Sequence, residues 1–119
     1  MMHYTPSTIP DEAESVLRRA ADKSDAADAS EWISRCKNDT AQLWRDGQFW
    51  VVTEIVRTRY GVALHFIAAA GEFSQYLVDE AEEWAKSIGC HKSFFTGRKG
   101  WERKLPKYKV RTVTMERVF

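Results

Sequence analysis

Several things are scarce in this sequence of 119 residues. There are two cysteines, Cys36 and Cys90, far apart and in no CxxC or Cys/His spacing, which excludes a zinc-knuckle arrangement and predicts two buried free thiols. No apolar run approaches the ~20 residues of a membrane-spanning helix. Residues 1–10 carry no basic stretch followed by an apolar one, so a secretory signal is not expected and a cytoplasmic location is. The net charge is +1, too small a global field to draw the chain to nucleic acid or a membrane. Internal repeats and low-complexity tracts are absent, and no metal site is expected.

Large apolar side chains are plentiful. Hydrophobic residues make up 44% and aromatics 13%, with five tryptophans, which excludes a disordered chain and predicts one packed domain. Residues 1–40 are rich in Ala, Asp, Ser and Glu and read as helical. Pro10-Asp11-Glu12 starts a helix whose Ala13, Val16, Leu17 and Ala20 share a face. A polar loop is expected over 22–29, then a short helix with Trp32, Ile33 and Cys36 inward, stopped at Asn38-Asp39.

From residue 41 the period becomes two. Gln42-Leu43-Trp44-Arg45 reads as a strand, Asp46-Gly47 as a type I′ turn, and residues 49–57 as the return strand. A turn over 58–61 leads to a third strand, 62–68, with Val62, Leu64 and Phe66 on one face and Ala63, His65 and Ile67 on the other. Gly71 breaks the pattern. A helix follows, with Phe73, Leu77, Ala81, Trp84, Ala85 and Ile88 as its apolar stripe and Asp79, Glu80, Glu82, Glu83 and Lys86 as its wet side. Gly89 is placed to cap it. A strand over 90–96 then implies a crossover connection and parallel pairing with the strand ending at Ala68. A short helix over 97–104 and a last strand over 108–119 complete an α-α-β-β-β-α-β-α-β order, an α/β (α+β) class.

This order, over residues 30–119, resembles the GNAT acyltransferases. Ala81-Glu82-Glu83-Trp84-Ala85-Lys86-Ser87-Ile88-Gly89-Cys90 is similar to the AxEWAxxxGC end of that family's central helix. Gly97-Arg98-Lys99-Gly100-Trp101-Glu102-Arg103-Lys104-Leu105, followed by Tyr108, resembles the short helix and aromatic turn that come next. Ala41-Gln42-Leu43-Trp44, Val52-Thr53-Glu54-Ile55 and Gly100-Trp101-Glu102-Arg103 are most similar to small GNAT-like proteins of tailed bacteriophages. The resemblance implies a single domain over 1–119, with a twisted mixed sheet, N-terminal helices, a long central crossover helix and a short C-terminal helix.

It also implies an N-acyltransferase using acetyl-CoA or another acyl-CoA. The cofactor would lie against Phe66, Ala68, Ala69, Ala70, Gly71, Phe73 and Ser74, where the family carries its pyrophosphate loop. Two places depart from the family pattern. Glu72 stands where an anion would dock; it reads as an acid stabilising the helix N-terminus by about 0.3–1 kcal/mol, and its charge repels a diphosphate. Glu102 stands where many members have a proton-donating tyrosine. Glu54 and His65, on strands bordering the expected cleft, are the candidate bases for deprotonating an amine; solvated or hydrogen-bonded structural roles are the alternative for both. The other function open to such a chain is a non-catalytic phage virion or assembly protein that keeps the fold for contacts with phage structural proteins or with itself, in the host cytoplasm or the virion. Arg98, Lys99, Arg103 and Lys104 form a basic run that could meet nucleic-acid phosphates.

Overall fold

The computed structural model describes residues 1–21, 29–95, 101–108 and 117. Most of the expected 22–29 loop lies outside the described residues. So do Thr96, Arg98, Lys99, the first half of the 97–104 helix and almost all of the 108–119 strand, together with the side chains of Ala20, Trp101 and Glu102. The elements are β1 (Met2–Tyr4), a 3-10 turn (Pro6–Thr8), α1 (Ala13–Ala21), α2 (Ala29–Lys37), β2 (Gln42–Asp46), β3 (Phe49–Thr58), β4 (Gly61–Ala70), α3 (Gln75–Ser87), β5 (Cys90–Phe95) and α4 (Trp101–Lys104).

The strands form one sheet in the order β1-β2-β3-β4-β5. The first four pair antiparallel, and β4 pairs parallel to β5. The parallel pair requires α3 as its crossover, as the sequence pattern predicts. Period-two patterning delivers each face to a separate core. On one face Leu43, Trp50 and Val52 pack with Ala13 and Leu17 of α1 and Trp32, Ile33 and Cys36 of α2. On the other, Trp44, Phe49, Val51, Leu64 and Phe66 pack with Leu77, Val78, Ala81 and Ala85 of α3.

Four local expectations need correction. β1 was not anticipated: three residues are too few for a period, and its strand state comes from pairing with β2 and from its rings. His3 stacks on Trp44 with centroids 3.8 Å apart on one face, and Tyr4 stacks on Trp50 at 6.0 Å on the other. The β2–β3 turn is Gly47-Gln48, not Asp46-Gly47, because Asp46 still pairs with Phe49. Among the non-glycine residues described only Asp39 has positive φ, so Gly47 alone carries it in this turn, the type II′ pattern. Ile88 is the C-cap of α3 and is exposed, since the helical stripe ends one turn earlier. Glu82 is half-buried and hydrogen-bonded, not on a wet face.

A bulge interrupts β4. Val52 pairs with Ala68 but Thr53 pairs with Phe66, leaving Ile67 as the extra residue. Beyond Thr53, alternation resumes, and Glu54 lies directly opposite His65.

Candidate active site

The two candidate bases meet. His65 Nδ1 is 2.7 Å from Glu54 Oε2, and Arg35 Nη2 of α2 donates to Glu54 Oε1 at 2.8 Å. The same guanidinium nitrogen also donates to the Thr40 carbonyl at 3.2 Å, which fixes the α2–β2 connection against the sheet. The His65 imidazole stacks on the Phe94 ring of β5, centroids 4.5 Å apart and planes 9° from parallel. The His65 and Glu54 side chains are each about one-fifth exposed.

Burial of Glu54 opposes its ionisation. The hydrogen bonds and charges of Arg35 and His65 outweigh it, and the carboxyl is held below the ordinary carboxylate value. A carboxylate so held is acceptor-only, so His65 Nδ1 must donate to it, and the basic nitrogen of the neutral ring is Nε2. The roles therefore divide. His65 is the group suited to accept a proton, and Glu54 orients it, while a depressed pKa makes Glu54 itself a poor base.

His65 pairs with Phe94 one step before the last β4–β5 pair, Phe66 with Phe95. Phe66–Phe95 is the last β4–β5 pair among the described residues, and β4 itself continues to Ala70 paired with β3. Phe66 itself is buried and stacks face to face on Phe95 at 4.1 Å. Ala68 and Ala70 face the α1–α2 core and Ala69 the α3 core.

The loop from β4 into α3 is held by the β2–β3 hairpin. Gly71 has φ +93°, and a Cβ there would lie 1.7 Å from the Gln48 carbonyl oxygen, so only glycine permits this approach. The Phe73 ring packs edge-on against Phe49 at 5.4 Å. Ser74, not Glu72, is the N-cap: its hydroxyl accepts from the Leu77 N–H at 3.4 Å and donates to Asp46 Oδ2. Glu72 is exposed and lies before the cap, outside the first turn.

On the α3 side, Tyr108 donates to Glu82 Oε2 at 3.0 Å and shares a short hydrogen bond with Ser93. Burial, with the neighbouring Glu82 charge, raises its phenol pKa despite the Ser93 bond, so it stays protonated. Its ring meets Phe95 edge-on at 5.4 Å. A shallow cavity of about 200 Å³ lies beside it, lined by Gln75, Glu82, Leu105, Pro106, Lys107 and Tyr108.

Sequence reasoning brought out Glu54 and His65 but not Arg35, Asp46 or Tyr108. Their partners lie 19, 28 and 26 residues away, and no local pattern links them. The cap did have a signal, a serine immediately before the first apolar positions of the helix. No group of three or more His, Cys, Asp or Glu able to hold a metal occurs among the described residues, and among them no helix is long and apolar enough to cross a membrane.

No family model matches the chain, and no curated protein does. Solved structures match over nearly their whole length. A probable acetyltransferase superposes with a TM-score of 0.70 at 7% identity, covering 98% of each chain. Ribosomal-protein-alanine N-acetyltransferase from Brucella melitensis biovar Abortus 2308 gives 0.67 at 13% identity, over 99% of this chain and 98% of that one. The chain has a GNAT-like fold. An aminoglycoside acetyltransferase from an uncultured soil metagenomic sample adds a TM-score of 0.68 at 10% identity, over 99% of this chain and 94% of the other. Identities of 7–13% carry the GNAT-like fold and leave the chemistry to this chain's own side chains.

Proposed function

We propose that this GNAT-like chain is an N-acyltransferase that moves an acyl group from an acyl-CoA thioester to an amine, with His65 as the base. The observation that carries this reading is the 2.7 Å His65–Glu54 hydrogen bond, with Arg35 on the other carboxylate oxygen. The amine nitrogen forms a C–N bond to the acyl carbon, the C–S bond breaks, and the sulfur leaves as a thiolate that is protonated to the free thiol. His65 takes the proton that the amine must shed, Glu54 orients the imidazole through Nδ1, and Arg35 holds Glu54 ionised.

The residues fit part of the cofactor. The β4 side chains after Ile67 are three alanines, small enough for another chain to approach this backbone. An arm rich in amides would pair with such a backbone as an added strand does. The nucleotide end fits poorly. Gly71, Phe73 and Ser74 are committed to Gln48, Phe49 and Asp46, and a carboxylate already sits at the α3 N-terminus.

The test is thiol release from acetyl-CoA across a panel of primary amines. His65→Ala should lower kcat by about 10²–10⁴-fold, the usual worth of a positioned base, in a protein that still folds cooperatively. Glu54→Gln should lower kcat less. Full activity in His65→Ala, or no turnover by the unaltered chain with any amine, would sink the reading.

A further inference from the structure

A helix N-terminus ordinarily attracts anions, because its first N–H groups are unpaired and the dipole is positive there. α3 runs for 13 residues, long enough to present that field in full. In this chain a carboxylate of its own stands beside that end: Asp46, the last residue of β2, accepts a hydrogen bond from the hydroxyl of the N-cap Ser74. Asp46 is held in place by its cross-strand pairing with Phe49, and the Met1 ammonium approaches its other oxygen at 4.0 Å. Glu72, exposed just before the cap, adds a second acid. The loop cannot easily swing to offer its amides elsewhere, since Gly71 is pressed on Gln48 and Phe73 on Phe49.

We infer that Asp46 sets donor specificity: the chain recognises its acyl donor by the pantetheine arm and gains no affinity from the nucleotide diphosphate, because the Asp46 charge is fixed on the N-cap of α3. This rests on the acyltransferase reading above and narrows its substrate class to pantetheine thioesters as such. A diphosphate brought to this helix end would meet a fixed like charge. Besides the Met1 ammonium, a second cation is close: Lys104 Nζ lies 5.6 Å from the centroid of the Phe73 ring. Whether a phosphate can use it is decided by the same experiment.

The experiment is calorimetric titration of the full chain with CoA and with pantetheine, at low and at high salt. The unaltered chain should bind the two within about threefold of each other, with little salt dependence, because no phosphate contact is gained. Asp46→Asn keeps an oxygen to accept from Ser74 and removes the charge. It should tighten CoA binding by about tenfold at low salt, and leave pantetheine unchanged. Asp46→Ala is the second variant with the same expected shift, so a folding failure of one does not decide the matter. CoA binding more than about a hundredfold tighter than pantetheine by the unaltered chain, or an Asp46→Asn ratio equal to it, overturns the inference and leaves the acyltransferase reading standing. Binding of neither compound by any of the three proteins removes both.

Discussion

Gly71 and Gln48 touch so closely that a methyl group on the glycine would lie 1.7 Å from the glutamine carbonyl oxygen. The loop into α3 is therefore seated on the β2–β3 turn by backbone, not by side chains. Gly71→Ala must both strain a φ of +93° and push the turn away, at about 2–4 kcal/mol. Gly47→Ala, with φ +57° and nothing within 4 Å of the added carbon, should cost only about 1 kcal/mol. Urea midpoints of the two variants check the difference; equal losses would mean that the contact carries no energy.

The polar cluster beneath the sheet is a second point of leverage. Thr53, fully buried next to the β4 bulge, accepts from Trp44 Nε1 at 2.9 Å and donates to Gln42 Oε1 at 2.9 Å. Thr53→Val keeps the shape and strands both partners. The expected loss is about 1–3 kcal/mol, read from chemical denaturation. Trp44 fluorescence should change with it, since the indole loses its hydrogen bond.

Acid should weaken the fold through Glu54. Its folded-state pKa lies below the ordinary value of 4.5, so the stability it contributes is fully present above about pH 4.5 and is lost as pH falls through the depressed value. The difference in denaturation midpoint between the unaltered chain and Glu54→Gln should be flat from neutral pH down to that point and shrink below it. A difference that grows with acidity would contradict the Arg35–Glu54–His65 arrangement.

The two thiols should react at different rates. Cys36 is 2% exposed, and burial, partly offset by the Arg35 charge, pushes its pKa up to about 11. Cys90 is only partly buried, and its pKa is raised by burial alone. A thiol-specific disulfide reagent at mildly alkaline pH should label one site quickly, and Cys90→Ser should abolish that phase. Cys36 should label on the timescale of unfolding.

Where the chain repeats a physical signal many times over, the sequence was readable. The β-branched and aromatic run of β3, the alternation in β4 and the three-four stripe of α3 each state their structure locally, and the crossover follows from their order. The pairing of Glu54 with His65 was half-visible: both residues stood out, but their meeting depends on register, and the bulge at Ile67 adjusts that register without any sequence mark. Arg35 was silent because a helical arginine reads as solvated until the sheet beneath it is known. Charge draws attention to Glu72 at the start of α3, while the cap itself is Ser74, a hydroxyl on β-region backbone (φ −129°, ψ 114°). Gly71 looked like a ligand-binding glycine, and its true constraint came from a turn more than twenty positions earlier.

Among the described residues β1 borders β2 alone, and it brings together residues more than forty positions apart, Met2 with Arg45. β3 and β4 are joined by a two-residue turn, so their pairing closes a far shorter loop. The edge strand is three residues long and is expected to open first: the hydrogens on the β1 amides should exchange with solvent long before those of β3.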